Sequence, residues 1–191
     1  MKNIVRRFVV FINPALRLFF SIFYDRKYLQ GQWFDEGVSG WLKAWKGIFF
    51  QKIMGFNRHV PFPCSPLVRV SNGKNIEFHP DDLNNFHSFG IYYQSFDGKI
   101  IIGKGTYIGP NVGLITSGHN PLNPEEHLEG KDVRLGEKCW IGMNSVILPG
   151  VELGPNTVVG AGAVVNKSFP EGHCIIGGVP ARLIKNLTAK E

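Results

Sequence analysis

Charge and cysteine are both scarce in this chain of 191 residues: charged side chains make up 19% of it, and cysteines number three. An apolar content of 43% beside so little charge excludes a disordered chain. No stretch of 18 apolar residues runs free of charge, which argues against a conventional membrane span. Cys64, Cys139 and Cys174 are odd in number and form no CxxC pair. They give no disulfide framework and no zinc ribbon, and a reducing, cytoplasmic compartment is the default expectation. Glycine (23) and proline (12) are abundant instead, favouring tight turns over long helices. The length accommodates one domain with an appendage rather than two full domains.

The charge is unevenly placed. Residues 1–60 hold ten Lys/Arg against Asp25, Asp35 and Glu36, a net +7 against the formal +6 of the whole chain, together with 14 of its 24 aromatic rings. Leu16, Phe19, Phe20 and Phe23 follow i, i+3, i+4, i+7 spacing, one apolar face of a helix. Trp41, Trp45, Ile48 and Lys52 form a second stripe on a predicted helix near 38–54, with Lys43 and Lys46 off it. Cations beside a Phe/Trp face suit a helix at a membrane surface. Packing of the same helices on the main domain or on a neighbouring subunit satisfies the pattern equally. Lys2, Arg6 and Arg7 ahead of an apolar run also resemble a signal peptide, but Asn13, Pro14 and Arg17 interrupt that run.

From residue 100 the sequence keeps a period of six. Aliphatic residues stand at Ile102, Ile108 and Leu114, then at Leu135, Ile141, Ile147, Leu153, Val159 and Val165. Gly follows in six cases (103, 109, 136, 142, 154 and 160), and a small residue falls four positions after nearly every aliphatic one. Neither a helix nor an alternating strand has this period. It fits a solenoid in which each hexad supplies one short strand and one corner, the aliphatic side chain pointing into a narrow core. The Gly after each aliphatic residue is expected to take backbone angles closed to other residues. Asn111, Asn144 and Asn156 sit where a corner tolerates Asn, and Cys139 falls inside the core.

The register breaks once. Between Leu114 and Leu135 the continuation positions are Asn120, Glu126 and Asp132, which cannot fill an apolar core, so residues 119–132 must leave the coil as a loop. A loop expelled from a rigid scaffold is a natural place for chemistry. Residues 76–96 read as less regular opening coils. Gly177-Gly178-Val179-Pro180 reads as a turn, and Ala181–Leu187 as a short C-terminal helix.

The repeat, the expelled loop opening at Thr116-Ser-Gly-His119, the Cys139-Trp-Ile-Gly142 rung, Gly160-Ala-Gly162 and the ending Gly178-Val-Pro-Ala-Arg182 together resemble the hexapeptide-repeat acyltransferases. The likeness is to the maltose and galactoside acetyltransferases and the O-acetyltransferases of surface polysaccharides, and it covers roughly residues 95–187. It implies a mainly β fold, a left-handed parallel β-helix, here over 61–187; residues 1–60, which do not match the family's short helical start, read from their own pattern as a helical, basic and aromatic segment, and 188–191 as a tail. It also implies a homotrimer with sites between subunits, acetyl-CoA as co-substrate, a saccharide acceptor, no metal and no nucleic-acid partner. His119 takes the place of the family's catalytic histidine, a base titrating near neutrality that can deprotonate a sugar hydroxyl. Trp140, Gly142 and Met143 would lie near the thioester, a backbone N–H of that rung serving the oxyanion. Ala161 would meet the pantetheine arm. Asn166, where the family often has Thr, and Lys167, with Arg182 and Lys185, would stand near the CoA phosphates. Asp97 aligns with an acid that contacts the sugar, while Phe89 falls where the family uses Asn.

The activity so implied is O-acetyl transfer to a sugar hydroxyl, the acceptor being a lipid-linked precursor of a surface polysaccharide. The protein would work in the cytoplasm, with residues 1–60 peripheral on the inner membrane face. Glu125 or Glu126 could orient the imidazole, and His127 reads as a solvated loop residue. An acetyltransferase of small molecules or antibiotics is the alternative within the same chemistry. A γ-carbonic-anhydrase-like metal enzyme and a non-catalytic scaffold are the alternatives outside it, although the spacing of His87, His119 and His127 does not match the former.

Overall fold

The computed structural model describes residues 12–187; Lys2, Arg6, Arg7 and the expected tail at 188–191 lie outside the described residues. Helical segments come first among the described residues: α1 (12–20), a 3₁₀ turn at Arg26–Tyr28, α2 (Gln32–Asp35) and α3 (Ser39–Gly47), the last continuing as a wider π turn over Ile48–Ile53. Strands follow in short pieces. The opening coil holds β1 (Arg69–Val70), β2 (Ile76–Phe78) and β3 (Tyr92–Gln94), with a 3₁₀ segment at Pro80–His87 where another strand would stand. The next turn of the coil holds β4 (Ile100–Ile102), β5 (Tyr107–Ile108) and β6 (Gly113–Ile115). A hairpin, β7 (His119–Asn120) and β8 (Asn123–His127), then projects before the coil resumes. It continues through β9 (Val133–Leu135), β10 (Trp140–Ile141), β11 (Val146–Ile147), β12 (Glu152–Leu153), β13 (Thr157–Val159) and β14 (Val164–Val165). The chain ends on β15 (Cys174–Gly177) and β16 (Arg182–Asn186).

Apart from the β7–β8 hairpin, these strands make three sheets that the chain visits in rotation. The first sheet is β1-β3-β6-β11-β14, the second β5-β10-β13-β15-β16 and the third β2-β4-β9-β12. All their pairings are parallel except β15 with β16. Register is set by the period: Ile102 pairs with Leu135, Ile108 with Ile141, Leu114 with Ile147, and Leu135 with Leu153. All nine aliphatic repeat positions are buried, as is Cys139.

The corners explain the rest of the hexad. The residue three positions after Ile102, Ile108, Leu135, Ile141, Ile147, Leu153 and Val159 takes a left-handed φ, at Gly105, Asn111, Lys138, Asn144, Gly150, Asn156 and Gly162. Asn bears this conformation better than most residues. The Gly directly after each aliphatic residue has a different task from the one expected. None of Gly103, Gly109, Gly136, Gly142, Gly154 and Gly160 has a positive φ. At five of the six, a Cβ would collide with the backbone of the next coil, at 2.8 Å for Gly109 and 2.5 Å for Gly136. At Gly160 the nearest atom is 3.4 Å away. Close coil-to-coil approach therefore selects glycine here. Buried hydroxyls complete the corners, with Ser145 Oγ donating to the Gly142 carbonyl and Thr157 Oγ1 to that of Gly154, each at 2.7 Å.

Two further expectations change. The C-terminal segment is not a helix: Arg182–Asn186 returns antiparallel on β15, whose backbone groups would otherwise form an open edge. The aromatic stripes of the N-terminal segment are split rather than one-sided. Phe20 and Trp41 are buried and Phe23 and Ile48 half-buried, whereas Phe19 and Trp45 face out. The buried residues from Phe20 to Ala44 share one apolar cluster with the coil core. A chain of ring contacts, Tyr28–Phe62–Phe86–Tyr93 with Phe78 stacked on Tyr28, closes the opening end of the prism.

Candidate functional site

The hairpin rises where the first sheet turns into the third, and it is held at its base by one side chain. Gln94 Oε1 accepts from the amides of Thr116 (2.9 Å) and Ser117 (3.0 Å), and its Nε2 donates to the Ser117 carbonyl (3.1 Å). Thr116 Oγ1 donates to the Gln94 carbonyl at 2.7 Å, and the strands reclose through Lys131 N–H to the Thr116 carbonyl at 2.7 Å. Sequence reading missed Gln94 because it carries no motif; only its register beside Ile115 gives it away. Asp97 follows β3 at this same corner. It is exposed, and its Cβ comes so close to Gly130, on the returning hairpin arm, that a side chain there would overlap it.

His119 stands exposed on β7, paired in register with His127, the two rings 4.3 Å apart. Its Nδ1 lies 2.6 Å from the Pro124 carbonyl oxygen. A carbonyl only accepts, so Nδ1 carries the proton and Nε2 holds the lone pair. The tautomer is thus fixed by a backbone oxygen, not by Glu125 or Glu126. Glu126 is engaged elsewhere, accepting from Asn120 Nδ2 (3.0 Å) and Asn123 Nδ2 (2.9 Å), which braces the hairpin tip.

The remaining predicted residues fall on two different corners. Gly142 and Met143 share the corner between the second and first sheets with Ala161 one coil later, joined by Gly162 N–H to the Met143 carbonyl at 2.9 Å. Met143 and Ala161 are exposed. The Gly142 amide donates to the Val159 carbonyl at 2.9 Å, so it is spent within the coil and is not the N–H for an oxyanion. Trp140, 61% exposed, stands in an outward row of the second sheet: Tyr107, Trp140, Val158, Ile175, Lys185. Lys185 is three strands from Trp140, roughly 14 Å. Arg182, at the start of β16, is exposed and bonds the Ala181 carbonyl through Nη1 at 3.0 Å.

Asn166 and Lys167 follow β14 at the other corner, two coils beyond the point from which the hairpin departs. Both are exposed, and Lys167 Nζ lies 5.4 Å over the Phe169 ring. Asp97, His119 and Lys167 therefore line one edge, and Met143 and Ala161 line another, with Trp140 and Lys185 on the face beside them. One chain does not unite the two groups.

The other histidines and aromatics have bland places. His87 is mostly buried, pushed down to about 3 by burial, with the Lys43 charge acting in the same direction. His79 Nδ1 accepts from the Asp81 amide at the start of the 3₁₀ segment. Phe86 and Tyr93 are core, and Phe89 is half exposed. Among the described residues no three His, Cys, Asp or Glu side chains converge as metal ligands would.

Residues 132–167 match the bacterial transferase hexapeptide (six repeats) family. The chain is 34% identical to the galactoside O-acetyltransferase of Escherichia coli over 66% of its own length and 61% of that protein. Among solved structures it resembles a maltose O-acetyltransferase from Clostridium difficile (30% identity, TM-score 0.53, 63% of this chain and 64% of that one). It also resembles a hexapeptide-repeat acetyltransferase from Vibrio cholerae complexed with acetyl coenzyme A (29% identity, TM-score 0.54, 63% and 65%). The chain thus spans less than two thirds of the length of each.

Proposed function

From the premise that this chain carries bacterial-transferase hexapeptide repeats and resembles the galactoside and maltose O-acetyltransferases, we propose that it transfers an acetyl group from acetyl-CoA to a sugar hydroxyl. The coil is the left-handed parallel β-helix of that likeness. The observation that carries the reading is His119, presented on an expelled hairpin with Nδ1–H held by the Pro124 carbonyl. In the reaction His119 Nε2 takes the hydroxyl proton as the sugar oxygen bonds to the thioester carbonyl carbon. The tetrahedral oxyanion then collapses and the C–S bond breaks. The imidazolium returns its proton to the departing thiolate, leaving acetylated sugar and CoA.

Surface chemistry supports assembly into a homotrimer. The third sheet shows charge outward, in a row of Glu77, Ile101, Arg134 and Glu152. The first sheet shows Arg69, Tyr92, Gly113, Val146 and Val164, and the second Tyr107, Trp140, Val158, Ile175 and Lys185, each with a single cation at one end of the row. Two faces that are free of charge between their end cations and one that is charged along its length suit three prisms packed around an axis, the charged faces outward. In that packing the His119 edge of one subunit lies beside the Trp140-bearing face of the next. There Arg182, Lys185, Asn166 and Lys167 supply polar and cationic groups for the CoA phosphates, and Asp97 a carboxylate for the sugar. The acceptor is a glycan precursor, and mass spectrometry of lipid-linked glycans from cells with and without the protein tests it. A shift of one acetyl group is expected; identical glycans would refute the acceptor.

A further inference from the structure

The N-terminal helices present an apolar ridge that the coil does not cover. Leu18 and Ile22, about three-quarters exposed, and Leu42, Trp45, Phe49 and Ile53, half to two-thirds exposed, project from α1 and its following turn and from α3 and its π extension. Phe19 stacks against Trp45 at 6.5 Å and joins the two helices. Between them opens a groove of about 310 Å³ lined by Ile12, Leu16, Val38, Trp41 and their neighbours, all apolar. A soluble monomer rarely shows so continuous a patch without using it.

The surrounding charge is mostly basic: across residues 12–76 the acids are Asp25, Asp35 and Glu36, and Asp35 is paired with Arg17. From residue 37 to residue 76 there is no Asp or Glu, while Lys43, Lys46, Lys52, Arg58, Arg69 and Lys74 fall within that stretch. Lys46 is exposed on α3 between Trp45 and Phe49, and Arg58 Nη2 bonds the Ile53 carbonyl at 3.1 Å, beside the ridge. Lys43 and Lys46 also line a separate cavity of about 280 Å³ beside Phe50. A protein partner would meet such a surface with acids; a bilayer meets it with acyl chains below and phosphates above. Indole and phenyl rings sit at headgroup depth, and each cation near an anionic surface strengthens binding about fivefold.

We propose that this ridge docks on an anionic lipid bilayer, with Leu18, Ile22, Trp45, Phe49 and Ile53 in the interfacial layer and Lys46 and Arg58 among the headgroup phosphates. The inference goes beyond the acyl-transfer reading and does not depend on it. No helix among the described residues is long and apolar enough to cross a membrane.

Deleting residues 1–60 is a poor test, because Tyr28, Leu29 and Phe34 belong to the core. The full chain is therefore floated with phosphatidylcholine vesicles and with vesicles containing 30% phosphatidylglycerol, alongside Trp45→Ser/Phe49→Ser and Lys46→Gln. Circular dichroism and thermal melts check that the variants fold, and sedimentation gives the oligomeric state of each. Expected is flotation with anionic vesicles alone, cut at least tenfold by the double substitution and about fivefold by Lys46→Gln. Equal flotation with neutral vesicles, none with either, or undiminished flotation of the folded double variant would overturn it. So would a change of oligomeric state in that variant without a change in flotation, which would make the ridge a protein interface.

Discussion

Gly136→Ala tests whether coil spacing, rather than backbone conformation, selects glycine after each aliphatic residue. The added Cβ would stand 2.5 Å from the Gly154 carbonyl carbon and 2.6 Å from the Pro155 nitrogen, both rigid backbone. Ordinary contact requires the two coils to part by about 1 Å, and the bond from Gly136 N–H to the Leu153 carbonyl, now 2.7 Å, would then be lost. Two polar groups stranded inside the ladder cost about 1–3 kcal/mol each, so a loss of about 3 kcal/mol is expected. For a domain of this size that lowers Tm by about 6–12 °C. Gly160→Ala is the internal control: its nearest neighbour, the Ile176 carbonyl oxygen, is 3.4 Å away, and its φ is not left-handed. Differential scanning calorimetry of the two variants reads the contrast. Equal Tm values for Gly136→Ala and Gly160→Ala would refute the close-approach account.

Two other outcomes follow from particular groups. Burial holds His87 down to about 3, so below its ordinary value near 6.5 the unfolded chain takes up a proton that the folded chain refuses. Stability therefore falls as pH drops through that window, by about 2 kcal/mol between pH 7.5 and 5. Urea titrations at both pH values should show His87→Gln losing that much less than wild type; parallel losses would contradict the assignment. Gln94→Leu removes the side-chain acceptor of the Ser117 amide, while the Thr116 amide keeps the Gln94 carbonyl at 3.1 Å, and hydrogen exchange should quicken across residues 117–128 but not in β9–β14. Unchanged exchange in the hairpin would show that Gln94 does not hold it.

Much of the coil was legible because a hexad admits one side chain per facet. Ile102, Ile141 and Val159 occupy the interior, and Asn120, Glu126 and Asp132 mark where the chain had to leave. The corner asparagines were legible too, since few other residues accept a left-handed φ. What escaped the sequence depends on partners distant along the chain. The glycine requirement arises one coil away, and the β16 return answers an edge left by β15. The split of Phe19 from Phe20 and of Trp45 from Trp41 is set by a core cluster that periodicity alone cannot see. At the site, the family motif placed His119 on a hairpin, but its orienting partner is a backbone carbonyl, which carries no side-chain signature.

The central claim is that the Nε2 lone pair of His119 removes the acceptor's proton. The direct measurement is steady-state acetyl transfer to a saccharide acceptor by wild type and His119→Ala, with acetyl-CoA binding measured by calorimetry on the same samples. The account predicts a kcat lower by about 10²–10⁴ with the donor Kd unchanged. A His119→Ala protein that binds acetyl-CoA normally and transfers at the wild-type rate would contradict it.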